Sequence, residues 1–205
     1  MTLDGIEFPK AVLFEMDGTL TVPTFDFPAI RRLLGLPEGA PILEHIALMP
    51  LERRNAAEEI LHRIEDEIAA TAPLADRCNE VLSYLHDRGS RVALVTRNRR
   101  ESVETFLRRH PLPIEVRITR EDGPHKPDPY PLLLACRQLE VMPGKCWMVG
   151  DGQFDVEAGI NAGMRSVWLS WGRERMFAAE PWRTVRDLVE LHEVMVGCDP
   201  QIRTD

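Results

Sequence analysis

The sequence predicts an α/β fold, a doubly wound, Rossmann-like parallel sheet that carries a small inserted helical subdomain. Three observations lead there. Five short apolar runs, at 10–16, 91–96, 114–119, 146–150 and 165–170, are nearly continuous, as strands buried on both faces must be. Amphipathic helical patterns alternate with them, the arrangement that builds parallel sheets. Between the first run and Cys78, about sixty residues carry no strand pattern.

Taken in order, the first run, KAVLFEM, ends in Asp17-Gly18, a sharp turn signal. The strand-free stretch then reads as three helices, at 27–34, 42–48 and 51–70, punctuated by Pro23, Pro28, Pro37, Pro41, Pro50 and Pro73. The third is the clearest, with Ile60, Leu61, Ile64 and Ile68 on one face. The expected organisation is therefore a core of residues 1–20 and 73–205 with a helical cap at 21–72. Within the core, helices are expected at 78–87, stopping at Gly89, and at 100–110, stopping before Pro111. Others follow at 129–139 and at 155–162, the last ending at the C-cap glycine Gly163. The tail, 199–205, is expected to fray.

Composition narrows the function. With 44% apolar and 28% charged residues, the chain has the balance of a folded globular protein. Its net charge of -8 argues against nucleic acid or an anionic membrane as a partner. No apolar run approaches the roughly 18 residues of a membrane span, and MTLDGIEFPK lacks the signal-peptide pattern, so a cytoplasmic location is expected. Cys78, Cys136, Cys146 and Cys198 form no CxxC pair and read as reduced thiols. The acidic surface and modest size suit a monomer or weak dimer.

The chemistry gathers at strand ends. Side-chain alternation places Glu15 and Asp17 on one side of the first strand's tip, where α/β sheets bind ligands. Gly18 allows the turn, and Thr19 offers a hydroxyl beside backbone N–H groups. Alone, this reads equally well as a solvated loop. Thr96 and Asn98 follow the second strand, Lys126 lies in the loop GPHKPDP, and Asp151 and Asp155 follow the fourth strand in MVGDGQFD. Carboxylates for a divalent cation, one ammonium, one hydroxyl and a softened turn are the equipment of phosphoryl transfer.

The ordered motifs DGTL, VT, KPDP and GDGQFD resemble those of the haloacid dehalogenase superfamily, over residues from about 10 to about 171. The helical insert resembles the cap of its phosphoglycolate-phosphatase-like branch. The resemblance implies a Mg²⁺-dependent hydrolase acting on a small phosphorylated metabolite. Position 15 would be the nucleophile that forms a carboxyl phosphate, and Asp17 the general acid and then base. Thr96 and Lys126 would stabilise the phosphoryl group, with Gly18, Thr19 and Asn98 around the substrate. The metal would lie among Glu15, Asp17, Asp151 and Asp155. One departure stands out: the family nucleophile is Asp, and here it is Glu15. The added methylene moves the carboxylate by on the order of 1 Å, enough to cost about 10²-fold in rate. A sugar-phosphate mutase, or a phosphate- and metal-binding protein without turnover, would use the same residues. Dehalogenase chemistry needs neither Asp17 nor a metal.

Other residues read more plainly. Arg97, Arg99 and Arg100 are expected in a solvated loop, the four tryptophans in packing, and His125 in a structural or solvent-facing place. From the cap, Thr24, Phe25, Glu44, His45 and Arg53 are the residues expected to face the substrate.

Overall fold

The computed structural model of the chain describes residues 6–202. The five expected strands form as β1 (Ala11–Phe14), β2 (Arg91–Val95), β3 (Val116–Ile118), β4 (Cys146–Gly150) and β5 (Arg165–Leu169). A sixth, β6 (Arg183–Val185), joins them in one sheet of order β3-β2-β1-β4-β5-β6, with every neighbouring pair parallel. Only three residues long, with Arg183 and Thr184 outside the core, β6 leaves no apolar run to read.

Strand alternation sorts the interior into two layers. Val12, Phe14, Val92, Leu94, Trp147 and Val149 face one side, packing on α4 (Cys78–Asp87), α5 (Arg100–Arg109) and α8 (Leu188–Cys198). Ala11, Leu13, Ala93, Val95, Cys146 and Met148 face the other, under α6 (Tyr130–Leu139) and α7 (Gln153–Asn161). Helices on both faces explain the unbroken apolar strands. From β1 the chain winds outward through β2 to β3, then crosses back to β4 on β1's other side. The carboxyl ends of β1 and β4 flank this reversal, where ligand crevices form in doubly wound sheets.

The strand-free stretch folds into α1 (Phe27–Leu34), α2 (Ile42–Ala47) and α3 (Leu51–Thr71). Asp26 caps α1, accepting from Ala29 N–H at 2.8 Å, and Gly35 ends it in the left-handed conformation. Ile30, Leu34, Ile46, Met49, Ala57 and Leu61 form a small core of their own. The two stems of the stretch run side by side: Thr21 bridges Leu74, and Val22 N–H donates to the carbonyl of Pro73 at 3.2 Å.

Two expectations are corrected, and the C-terminal segment adds two elements. The buried stripe of α3 is Ala57, Leu61, Glu65 and Ala69, so Ile60, Ile64 and Ile68 are only partly buried. The C-terminal segment forms β6 and α8, whose Leu188, Leu191, Val194, Met195 and Cys198 keep helical spacing. Asp199 is not frayed: it is buried, accepting from Tyr84 Oη and Arg88 Nε, each at 2.6 Å. Residues 1–5 and 203–205, which hold part of the N-terminal segment MTLDGIEFPK and of the expected tail, lie outside the described residues.

Phe106 of α5 is fully buried against the sheet. Phe106→Ala should lower unfolding stability by about 3–5 kcal/mol, read from the urea midpoint at constant slope.

Candidate active site

The site starts where β1 stops. Glu15 N–H still donates to the carbonyl of Val149 on β4, at 3.0 Å, and the chain then turns through Met16–Leu20. The strand therefore ends before Glu15, and this turn, more than strand alternation, brings Glu15 and Asp17 to one crevice. Gly18 sits at φ +68°, and a Cβ there would lie 2.5 Å from an Asp151 carboxylate oxygen. Only glycine fits both the conformation and the gap.

Glu15 is held from three directions. Its Oε1 accepts from Thr96 Oγ1 at 2.6 Å and from Met16 N–H at 2.9 Å, while Oε2 accepts from Lys126 Nζ. Lys126, fully buried, also donates to Asp155 Oδ1 at 2.6 Å and to the carbonyl of Val95 at 2.7 Å. All three ammonium protons are placed. Burial opposes the charge, but Asp155 and Glu15 outweigh it and raise the Lys126 pKa. Asp155 Oδ2 accepts from Gly152 N–H at 3.0 Å, so this carboxylate caps α7 and anchors the lysine at once.

Asp17 is the contrasting carboxylate. Asn98 Nδ2 donates to its Oδ2, while its Oδ1 is buried without a hydrogen-bond partner. Burial first, then the neighbouring Glu15, pushes its pKa up to about 8. Asp151, across the crevice, is raised to about 7 by burial and Asp155, against the pull of Arg173, which donates to Oδ2 at 3.0 Å. Among the described residues, no three His, Cys, Asp or Glu side chains form a group that could hold a metal ion by themselves.

A cavity of about 490 Å³ opens over these groups. Glu15, Asp17, Thr96, Asn98, Asp151 and Asp155 line it, with Lys126 packed behind Glu15. Gly18 and Thr19 do not line it: Gly18 N–H is turned to Thr21 Oγ1 at 3.3 Å, and the Thr19 hydroxyl is buried without a partner. Of the cap residues singled out from sequence, Phe25 faces the cavity; Thr24, Glu44, His45 and Arg53 do not. Glu44 binds Arg97 at 2.6 Å and approaches His125 at 3.6 Å.

The arginine run is not solvated as expected. Arg97 lies over the Phe154 ring, 4.5 Å from its centroid, and Arg99 pairs with Asp66 of α3 at 2.7 Å. Only Arg100, paired with Asp122, is half exposed. Residues that sequence reasoning passed over complete the frame. Glu65 is buried on α3 and bound by Arg120; its i+4 register with Leu61 and Ala69 was the available signal. Trp168 Nε1 donates to the carbonyl of Asp151 at 2.9 Å and Trp171 Nε1 to that of Gly18 at 2.7 Å. Two of the packing tryptophans thus brace the two acidic loops.

The sequence pattern of haloacid dehalogenase-like hydrolases matches residues 28–169. An uncharacterized hydrolase of Saccharomyces cerevisiae is 34% identical over 175 residues, 82% of this chain and 80% of that protein. This chain is a haloacid dehalogenase-like hydrolase. The N-acetylmuramic acid 6-phosphate phosphatase of Pseudomonas aeruginosa is 28% identical over 190 residues, 80% of this chain and 82% of that protein. A solved structure from Haemophilus somnus, titled a predicted phosphoglycolate phosphatase, shares the fold with a TM-score of 0.70. Its identity is 19%, over 93% of this chain and 99% of that one. The hydrolase family and its phosphoglycolate-phosphatase-like fold agree with the motif order read from sequence.

Two outcomes test this geometry. Gly18→Ala should displace the Asp151 carboxylate and lower the melting temperature, checked by thermal unfolding. A raised carboxylate pKa means that stability present below about pH 4 is lost as pH rises toward 8. In metal-free buffer, the melting temperature of Asp17→Asn minus that of the unaltered chain should therefore grow from pH 5 to pH 8.5.

Proposed function

We propose that this hydrolase cleaves phosphomonoesters of small organic molecules through a carboxyl phosphate on Glu15, at a rate lowered by the longer side chain. One observation carries the reading: two buried carboxylates with different partners meet under one cavity. Glu15 is held by an ammonium and a hydroxyl, and Asp17 leaves one buried oxygen unpaired. Burial raises the pKa of both carboxyls, but Lys126 and Thr96 pull that of Glu15 back down, while Asn98 alone counters burial and the Glu15 charge at Asp17, a difference that suits nucleophile and general acid. Glu15 attacks phosphorus while Asp17 gives its proton to the leaving oxygen. Asp17 then accepts a proton from the water that opens the acyl phosphate. Thr96 and Lys126 carry the phosphoryl charge, and Asn98 orients Asp17. Gly18 shapes the turn with Thr19 beneath it. Similarity to the Pseudomonas aeruginosa phosphatase supports phosphatase chemistry.

The donor set fits Mg²⁺. It is oxygen-only, and a buried Asp17 oxygen lacks a partner. Mg²⁺ keeps several waters and takes one or two carboxylates plus substrate phosphate, so no cage of three side chains is needed. Asp151 and the Asp17 backbone carbonyl would hold it together with Glu15, which would exchange one of its hydrogen bonds for the cation, while Asp155 would support through Lys126. When bound, the cation neutralises charge on the phosphoryl oxygens. Residues 21–72 act in this proposal as a cap whose two stems, joined at Thr21 and Leu74, close it over the cavity.

A second reading has its own support. Both Glu15 oxygens are already hydrogen-bonded, which suits a phosphate- and metal-binding protein without turnover. Glu15→Asp separates the two: turnover should rise by about one to two decades as the reach for in-line attack is restored. Asp17→Asn in either background should remove about 10² to 10⁴ of rate. Phosphate binding without hydrolysis by either version would establish the binding reading. EDTA should abolish turnover, and Mg²⁺ should raise the melting temperature of the unaltered chain but not of Asp151→Ala. Isomerisation of a sugar phosphate with little phosphate release would identify a mutase.

A further inference from the structure

The cavity is far larger than its catalytic floor requires. A phosphoryl group and a two-carbon acid would fill only a small part of about 490 Å³, a volume in the range of sites that enclose an entire organic ligand. Its walls are apolar and largely aromatic. On the cap side Phe25 and Phe27 stack at 5.3 Å with their planes 11° apart, and Leu43 and Leu61 line the cavity with them. From the sheet domain, Phe154 and Phe177 also line it, the latter edge-on to Trp168 at 5.3 Å.

The charges at its border are mostly neutralised within the protein. Arg97 is paired with Glu44, Arg120 with Glu65 and Arg173 with Asp151. Arg31 donates its Nε–H to the carbonyl of Ala40 at 2.8 Å. A substrate with a second strong anion, such as a diphosphate or a small phosphorylated acid, would find Arg31 as the one of these four arginines not matched to a carboxylate, and aromatic rings elsewhere. Phe27 is 47% exposed, and such a ring at a cavity wall gains by meeting apolar surface.

We infer that the site takes phosphomonoesters whose leaving group is a bulky aromatic or apolar alcohol, held against the Phe25–Phe27 stack and the Phe154–Phe177 wall. This rests on the phosphatase reading for the chemistry, but the recognition stands on the walls alone. No new bond chemistry is involved: the P–O bond to the leaving group breaks, and Asp17 supplies that oxygen's proton.

The test is binding and turnover of three probes with Mg²⁺ present: 1-naphthyl phosphate, 2-phosphoglycolate and pyrophosphate. Affinities come from calorimetry on the Asp17→Asn chain, in which turnover is suppressed, with inorganic phosphate as reference. 1-Naphthyl phosphate should bind about tenfold or more tightly than any other probe. Phe27→Ala and Phe177→Ala, one on the cap side and one from the sheet domain, should each reduce the ratio of its affinity to that of phosphate by about fivefold or more. Equal or weaker binding than 2-phosphoglycolate or pyrophosphate would overturn the inference, as would an unchanged ratio in both variants. The two readings fail separately. Tight naphthyl phosphate binding without hydrolysis by the unaltered chain sinks the phosphatase and leaves the recognition standing. Hydrolysis that favours the small probes does the reverse.

Discussion

One buried ammonium organises the carboxyl end of this sheet. Lys126 reaches the space between β1, β2 and β4 from the loop before α6, and its three protons go to Glu15, Asp155 and the carbonyl of Val95. Each acceptor follows or ends a different strand. An unpaired ammonium at this depth would cost several kcal/mol in lost hydration. The lysine therefore stays only while all three strand ends hold register, and two carboxylates remain dry only because the lysine is there. Glu15, the turn that presents Asp17 and the start of α7 are fixed by the same charge.

That dependence explains why the sequence was readable at this end of the molecule. Residues that converge on one charge from several strand ends must keep their type and place in chain order, so DGTL, VT, KPDP and GDGQFD stand out. The continuous apolar runs follow from helices on both faces, and all five became strands. What escaped was carried by pairing instead of pattern. β6 is three residues long and is defined by its neighbour β5. Arg97 and Arg99 look like a basic surface run until Glu44, Asp66 and Phe154 fold against them. Gly18 and Thr19 belong to the motif but serve the turn's own shape.

Charge also joins the helical insert to the sheet. Glu65 and Asp66 of α3 meet Arg120 and Arg99, while Glu44 after the start of α2 meets Arg97. Glu65 is buried, and partnership with Arg120 offsets the desolvation that raises its pKa. An apolar seam would hold the insert as firmly in many orientations; paired ions hold it in few, because each needs its own partner. The orientation so selected sets the distance between the Phe25–Phe27 stack and the catalytic floor.

The two indole braces carry a consequence for the order in which the molecule is made. Trp171 grips the carbonyl of Gly18 across 153 positions of sequence, and Trp168 grips that of Asp151. As the ribosome extrudes the chain, the acidic turn after β1 emerges before the rest of the sheet. Its clasp arrives only after β5, 153 positions further along the chain. A nascent chain that already holds every acidic residue of the site would still lack both clasps until β5 docks beside β4.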